Sequence, residues 1–226
     1  MSEPSAAGAR GDGLGAVFFD MDGLLVDTEK VWFEVESEVM ARLGAGWGHD
    51  HQEALVGGSM PSTVAYMLKV SGASVPPETV AEWMIEGMRA RLAGGVELMP
   101  GAPELLEAVR AAGLPTALVT SSARKIAELC LAGIGRHYFD HVVTGDDVTR
   151  AKPDPEPYAT AARLTGVHPA RCAVLEDSPN GVTAATAAGC RVVAVPSVLP
   201  IPEAPGRLVV TSLHQVDVTV LHALFS

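Results

Sequence analysis

The chain has 226 residues, of which 48% are hydrophobic and 19% charged, and its formal net charge is −11. This length suits one large domain or a domain with an insert, and the composition is that of an ordinary globular protein. The negative charge disfavours nucleic acid or an anionic membrane as a partner. A cleft that holds its own cation can still bind a small anion.

The cysteines and the N-terminal segment bear on where the protein works. Cys130, Cys172 and Cys190 stand singly in apolar surroundings, without the paired spacing of a zinc site, which favours reduced thiols. Residues 1–14 are small and polar and lack the apolar block of a secretory signal, so a disordered tail is expected. No apolar run reaches the ~20 residues of a membrane span. We therefore expect a cytoplasmic protein; its oligomeric state is open, with a monomer favoured.

Strand and helix patterns alternate along most of the chain. Runs that are apolar throughout indicate strands covered on both faces, and their alternation with helical segments indicates parallel βαβ units. We therefore expect an α/β fold built on a doubly wound parallel sheet. The predicted strands are Ala16–Asp20, Pro115–Thr120, His141–Thr144, Cys172–Glu176, Arg191–Pro196 and Leu208–Thr211. The predicted helices of this region are Ala102–Ala112, Ala123–Ala132, Pro155–Thr165, Pro179–Ala188 and His214–Leu224.

One stretch breaks the alternation. Between Glu29 and Gly95 there is no convincing strand pattern, only helical patterns at Glu29–Leu43, Pro61–Ser71 and Glu78–Ala93. Because this insert directly follows the first strand, it is placed to cover the end of that strand. We therefore expect a core of residues 15–28 and 96–226 and a small α-helical cap of residues 29–95.

Polar side chains follow several predicted strands at the same end. Because the carboxyl ends of parallel strands share one edge of a sheet, residues far apart in the sequence can converge there. The set holds two acids after the first strand, hydroxyl groups, a cation and a second acidic pair, which suits phosphoryl transfer. These residues are Asp20 and Asp22, Thr120 and Ser121, Lys152, and Glu176 with Asp177.

Each residue type has a physical task on a phosphate ester. Closely spaced carboxylates repel each other unless a cation intervenes, which indicates Mg²⁺ on Asp20, Asp177 and the main-chain carbonyl of Asp22. Asp20 is the candidate nucleophile, which would form an aspartyl-phosphate, and Asp22 is the candidate acid and base. The remaining groups hold the phosphate oxygens and offset their charge: Thr120, the N–H of Ser121, and Lys152.

Four motifs, in order, resemble those of the haloacid dehalogenase superfamily. The resemblance implies a Rossmann-like core, Mg²⁺-dependent hydrolysis of a small phosphorylated metabolite, and the catalytic roles given above. It also implies that Glu176 supports the lysine and a metal-bound water. We further expect Gly23 to be one of the substrate-binding residues. The motifs are Asp20-Met-Asp22-Gly23, Leu-Val-Thr120-Ser-Ser, Lys152-Pro-Asp-Pro and Leu-Glu176-Asp177-Ser-Pro-Asn-Gly.

The insert resembles the helical cap of the subgroup that holds β-phosphoglucomutase, sugar-phosphate phosphatases and pseudouridine-monophosphate phosphatase. The second acid, Asp22, favours a phosphatase over a dehalogenase. Mutases carry a histidine where Trp32 stands and basic residues where Val56 and Met60 flank Gly57, which disfavours a mutase. We predict a phosphatase acting on a sugar, polyol or nucleoside monophosphate, with a phosphosugar mutase as the alternative. A receiver-like phospho-acceptor module is less favoured, because it needs neither Asp22 nor so large a cap.

The near face of the cap must contact whatever group carries the phosphate. Glu29 and Met60 are the candidate substrate contacts on that face. Trp32 is interpreted as packing inside the cap. The acids of the first cap helix are interpreted as its solvent-exposed face: Glu34, Glu36 and Glu38.

Overall fold

Six strands within residues 13–226 form one sheet in which every neighbouring pair runs parallel. A computed structural model describes these residues, so most of the predicted N-terminal tail, residues 1–12, lies outside the described part. The strand order is β3-β2-β1-β4-β5-β6, which confirms the predicted doubly wound parallel sheet. The strands are β1 (Ala16–Phe19), β2 (Thr116–Val119), β3 (His141–Val143), β4 (Cys172–Glu176), β5 (Arg191–Ala194) and β6 (Arg207–Val209).

Helices cover both faces of this sheet. Alternate residues of β1 show the two layers, because Val17 and Phe19 join one hydrophobic cluster while Ala16 and Phe18 join the other. All four side chains are fully buried, as expected for a central parallel strand. The core helices are α5 (Ala102–Ala111), α6 (Arg124–Ile134), α7 (Glu156–Thr165), α8 (Pro179–Ala187) and α9 (Val218–Ala223).

The last helix is shorter than predicted. The pattern predicted a helix over His214–Leu224, but residues 213–215 form a 3₁₀ turn and α9 begins at Val218. The side chain of Asp217 accepts a hydrogen bond from the N–H of Val220 at 2.7 Å. Asp217 therefore caps the helix and fixes its start, as an aspartate does where the first helical N–H groups lack partners.

The region from Glu29 to Leu92 contains helices and no strand. Its helices are α1 (Glu29–Arg42), α2 (His49–Glu53), α3 (Met60–Ser71) and α4 (Pro77–Leu92). Helix α2 was not predicted, because its five polar residues bury nothing and so carry no apolar period. Gly87 lets α4 approach α1 closely, since a Cβ there would lie 2.8 Å from the side chain of Val35.

The two passages of chain between the sheet and the helical cap run side by side. The N–H of Asp27 donates to the carbonyl of Glu97, and the N–H of Met99 donates to the carbonyl of Leu25, each at 2.9 Å. This two-stranded connection coincides with the predicted boundaries at residues 28 and 96, and the division into two domains stays a prediction. Among residues 13–226, none of the helices combines the length and apolar character that crossing a membrane would require.

Candidate active site

The predicted catalytic residues meet at the carboxyl end of the sheet. Asp20 directly follows β1, Thr120 follows β2, and Asp177 follows β4. Strands β2 and β3 lie on one side of β1, and β4, β5 and β6 lie on its other side, so the strand order reverses between β1 and β4. Open α/β sheets bind ligands at such a reversal. A pocket lies there between the sheet and the cap. Its volume is about 740 Å³, including the part that is open to solvent.

Lys152 ties the end of β1 to the end of β4. Its buried ammonium lies 2.5 Å from Oδ1 of Asp20, 2.6 Å from Oε1 of Glu176 and 2.9 Å from the carbonyl oxygen of Val119. Burial opposes the charge of this group, but the carboxylates of Asp20 and Glu176 outweigh burial and raise the pKa of Lys152 above its ordinary value. Lys152 is therefore a fixed cation beside the candidate nucleophile.

Glu176 is fully occupied by protein donors. Besides the lysine, its Oε1 accepts from the Tyr158 hydroxyl at 2.6 Å, and its Oε2 accepts from the N–H of Asp177 and from the N–H and hydroxyl of Ser178. A Cβ at Gly181 would overlap the carboxylate of Glu176. This explains why a glycine closes the motif, and the arrangement suits the predicted supporting role of Glu176.

Three buried acids form a group that could hold a cation. Carboxylate oxygens of Asp20, Glu176 and Asp177 all lie within 4.8 Å of one another. Burial raises the pKa of Asp20 despite the charge of Lys152, and burial with the charge of Asp20 raises the pKa of Asp177. A divalent cation would relieve both effects, and oxygen donors are those that Mg²⁺ prefers. Because Glu176 is already occupied, Asp20 and Asp177 are the residues whose donors fit the ion.

Gly23 does not line the pocket but packs against Asp177, which does. Its φ is +76°, and a Cβ at this position would overlap the carboxylate of Asp177, so only glycine leaves room for that acid. The main-chain oxygen of Asp22 accepts no hydrogen bond from residues 13–226, which leaves it available as a metal ligand. A direct contact of Gly23 with substrate and the use of this carbonyl stay predictions.

Four donors hold the carboxylate of Asp22. Its Oδ1 accepts from the Thr28 hydroxyl at 2.8 Å and from the indole N–H of Trp32 at 3.0 Å. Its Oδ2 accepts from the hydroxyls of Thr120 at 3.2 Å and Ser122 at 2.8 Å. Because Trp32 belongs to the first cap helix, the orientation of the candidate acid and base depends on the cap as well as on the core.

Ser121 offers an unpaired hydrogen-bond donor to the pocket. It lines the pocket, and its buried hydroxyl has no hydrogen-bond partner in the part of the chain that the structure describes. Thr120 lies beside it, with a hydroxyl that accepts from the N–H of Ser122 at 3.0 Å. A buried hydroxyl without a partner is costly, and a phosphate oxygen is a suitable acceptor. This observation supports the predicted phosphate-binding role of Ser121.

Glu29 and Met60 line the pocket from the cap side, in agreement with their choice as candidate substrate contacts. The side-chain amide of Gln52 donates to the main-chain oxygen of Glu29 at 3.0 Å and approaches its carboxylate at 3.5 Å. Burial, together with the negative charges of Asp22 and Asp27, raises the pKa of Glu29 to about 7. Contact between either residue and a substrate stays a prediction.

One interpretation of the first cap helix was wrong, and another was incomplete. Glu36 is 5% exposed rather than solvated. Trp32 packs against the hydrophobic core as expected, and it also lines the pocket and donates to Asp22. Glu34 and Glu38 are exposed, as expected. Residues advance by about 100° each along a helix, so Glu36 lies opposite Glu34 and Glu38. This helical phase was the available signal for the position of Glu36.

Comparisons with known proteins agree with this geometry. A sequence model of the family described as haloacid dehalogenase-like hydrolase matches residues 17–195. The fructose-1-phosphate phosphatase YqaB of Escherichia coli strain K12 is 35% identical over 176 residues, which is 76% of this chain and 92% of that protein. A probable pseudouridine-5'-phosphatase of Drosophila melanogaster is 35% identical over 185 residues, which is 79% of this chain and 80% of that protein.

A solved structure has the same fold. The crystal structure of CbbY from Rhodobacter sphaeroides in complex with phosphate superimposes with a TM-score of 0.80 at 29% identity, covering 88% of this chain and 95% of that one. The family match extends from the first strand to the end of β5 and includes all four motifs whose side chains meet in the pocket. The chain therefore belongs to the haloacid dehalogenase-like hydrolases.

Proposed function

We propose that the protein is a Mg²⁺-dependent phosphatase that hydrolyses the monoester of a small phosphorylated metabolite through an aspartyl-phosphate. One observation carries the proposal: the buried carboxylate of Asp20 is fixed by Lys152 at the base of a pocket. The orphaned hydroxyl of Ser121 lines the same pocket, and the carboxylate of Asp22 is held there by donors from the core and the cap. The relatives named as a fructose-1-phosphate phosphatase and as a probable pseudouridine-5'-phosphatase support a sugar, polyol or nucleoside monophosphate as substrate.

The core residues divide the work on the phosphate. Asp20, Asp177 and the main-chain oxygen of Asp22 would hold Mg²⁺, which offsets the negative charge of the phosphate and of the carboxylates. Lys152 bonds Oδ1 of Asp20 and keeps this carboxylate oriented toward the pocket. The free hydroxyl and N–H of Ser121 bind non-bridging oxygens of the phosphate.

The reaction then proceeds in two displacements. A carboxylate oxygen of Asp20 forms a bond to phosphorus while the bond from phosphorus to the leaving alkoxide breaks, and Asp22 gives that alkoxide a proton. A water molecule next attacks phosphorus and gives its proton to Asp22, while the bond between phosphorus and Asp20 breaks. Inorganic phosphate and the starting enzyme result.

The lining of the pocket also bears on the mutase alternative. A phosphosugar mutase must bind a second phosphate away from the nucleophile. Among the described residues that line the pocket, Lys152 is the one lysine or arginine, and it is committed to Asp20 and Glu176. The cap side therefore offers no cation to a second phosphate, which supports hydrolysis over mutase activity.

Hydrolysis of p-nitrophenyl phosphate tests the proposal. We expect Mg²⁺-dependent release of phosphate by the wild type, and loss of this activity in Asp20→Asn, in Asp22→Ala and after addition of EDTA. Asp50→Asn is the matched control, because it removes one carboxylate from an exposed position of the cap. Full activity of Asp20→Asn would overturn the proposed nucleophile, and activity that survives complete removal of metal would overturn the proposed role of Mg²⁺.

A further inference from the structure

Among the described residues that line the cap side of the pocket, two are acidic and none is a lysine, arginine or histidine. The polar groups there are the carboxyls of Glu29 and Glu36, the amide of Gln52, the hydroxyl of Thr63 and the indole N–H of Trp32. The indole is already bonded to Asp22. Among these lining residues, a leaving group that reaches the cap therefore meets carboxyl oxygens, an amide and a hydroxyl, and no positive charge.

Glu36 is held as a fixed acceptor in this wall. Its Oε2 accepts from the indole N–H of Trp47 at 3.0 Å. The Trp47 ring in turn stacks on the ring of His51, with centroids 4.7 Å apart, and Nδ1 of His51 lies 2.9 Å from the hydroxyl of Tyr66. This chain of contacts fixes one carboxyl oxygen of Glu36 against the body of the cap.

The other oxygen of Glu36 is free. Within residues 13–226 no group donates a hydrogen bond to Oε1, although the residue is only 5% exposed and lines the pocket. Because Oε1 is not enclosed by protein, a ligand hydroxyl that takes the place of water there gains a charged hydrogen-bond acceptor. Glu36 therefore brings an unpaired carboxyl oxygen to the lining of the pocket that the leaving group must occupy.

We propose that Glu36 determines substrate specificity: its Oε1 accepts a hydrogen bond from a hydroxyl of the leaving group, and its charge excludes leaving groups that carry a second anion. This inference rests on the proposed phosphatase function and narrows the substrate class. The substrate is the monophosphate of an uncharged, hydroxyl-bearing alcohol. Bisphosphates and phosphorylated carboxylic acids are disfavoured, because Glu29 and Glu36 repel them.

A purely structural role for Glu36 predicts different behaviour. If the residue only anchored Trp47, its replacement would alter the stability of the cap and would change turnover of all substrates alike. A specificity role changes the ratio between two substrates that differ in the charge presented to the cap. The ratio is therefore the informative measurement.

Two aryl phosphates form a matched pair for this purpose. In 4-(hydroxymethyl)phenyl phosphate and 4-carboxyphenyl phosphate the group opposite the ester is a neutral hydroxymethyl or an anionic carboxylate, and the phenol leaving groups have similar basicity. We would measure kcat/KM for both at about pH 8 and constant ionic strength. The wild type is expected to prefer the hydroxymethyl ester, and in Glu36→Gln this preference should fall about tenfold, as removal of one charge–charge repulsion and one charged acceptor implies.

Two further variants make the test specific. Glu38→Gln removes the same charge from the exposed side of the same helix and should leave the preference within about twofold of the wild type, because exposed charges are screened. Glu29→Gln should lower the preference in the same direction as Glu36→Gln, and it provides an independent test if Glu36→Gln does not fold.

The outcomes separate this inference from the proposed function. Turnover of both esters with the same preference in the wild type, Glu36→Gln and Glu29→Gln would overturn the inference and leave the phosphatase proposal standing. A wild type that prefers the carboxylate ester would also overturn the inference. A wild type that releases phosphate from neither ester nor from p-nitrophenyl phosphate would overturn the proposed function, and the inference with it.

Discussion

Replacement of Glu36 by glutamine should stabilise the protein at alkaline pH and leave its stability unchanged in acid. Burial raises the pKa of Glu36 from 4.5 to about 7. The hydrogen bond from Trp47 opposes this rise, and the negative charge of Glu29 adds to it. Between these two pH values the folded state binds more protons than the unfolded state, so stability falls as pH rises. Below about pH 4.5 Glu36 does not destabilise the folded state, and above about pH 7 the destabilisation by its buried charge is complete.

The size of the effect follows from the shift. Each pKa unit corresponds to about 1.4 kcal/mol, so the shift from 4.5 to about 7 implies a cost of up to about 3 kcal/mol at pH 8. Glutamine has nearly the same shape, carries no charge and still offers an oxygen to the indole of Trp47. In a domain of this length, 3 kcal/mol corresponds to a rise in Tm of roughly 6–12 °C.

Thermal and urea unfolding of both proteins between about pH 4.5 and pH 8 would measure this difference. The gap between wild type and Glu36→Gln should open progressively as pH rises. Glu38→Gln is the matched control; it removes an exposed ion pair with Arg91 and should change the free energy of unfolding by no more than about 1 kcal/mol. A difference between wild type and Glu36→Gln that is constant over the whole range would refute the reasoning, because it would mean that burial does not perturb this carboxyl.

Three other substitutions test the network around the pocket. Tyr158→Phe removes a buried donor to Glu176 and should lower the free energy of unfolding by about 1.5–3 kcal/mol in urea titrations. Trp32→Phe removes one donor from Asp22 and should lower kcat by about tenfold with a smaller change in KM, in steady-state assays of p-nitrophenyl phosphate. Gly181→Ala puts a methyl group where the carboxylate of Glu176 lies and should lower Tm by roughly 4 °C or more, measured by calorimetry.

Each of these substitutions has a matched control. Tyr138→Phe removes a hydroxyl that also donates to a glutamate, Glu107, but in an exposed position. Trp83→Phe changes a cap tryptophan outside the pocket lining, and Gly94→Ala meets no atom within 4 Å. Tyr158→Phe as stable as the wild type would contradict a buried charged bond to Glu176. Equal kcat in Trp32→Phe and Trp83→Phe would contradict a positioning role for the indole, and an undisturbed Gly181→Ala would contradict close packing at Glu176.

The core half of the site could be predicted from the sequence because residues nearby in the chain identify each member of it. Each motif residue directly follows an apolar strand or precedes a helix, and a parallel sheet brings such ends to one edge. Asp20, Lys152 and Asp177 were identified in this way, and the structure brings them together. The role of Tyr158 could not be predicted, because it lies inside a helix and meets Glu176 only when α7 packs on the sheet.

The cap half could be predicted only in outline, because its chemistry depends on how one helix docks. Helical phase separates Glu36 from Glu34 and Glu38, but phase alone does not say whether the buried side meets the cap interior or the pocket. In the structure Glu29, Trp32 and Glu36 stand at positions i, i+3 and i+7 of α1, so all three share one helix face, and all three line the pocket.

In the proposed function, this shared face links substrate recognition to catalysis. Trp32 donates to Asp22, while Glu36, one turn further along α1, lines the pocket with an unpaired carboxyl oxygen. Helix α1 begins at the two-stranded connection between core and cap, so any movement there carries both side chains together. In the proposed reaction, a leaving group bound at Glu36 would therefore contact the same helix that orients the candidate proton donor, Asp22. Such coupling would let binding energy remote from phosphorus act on the chemical step.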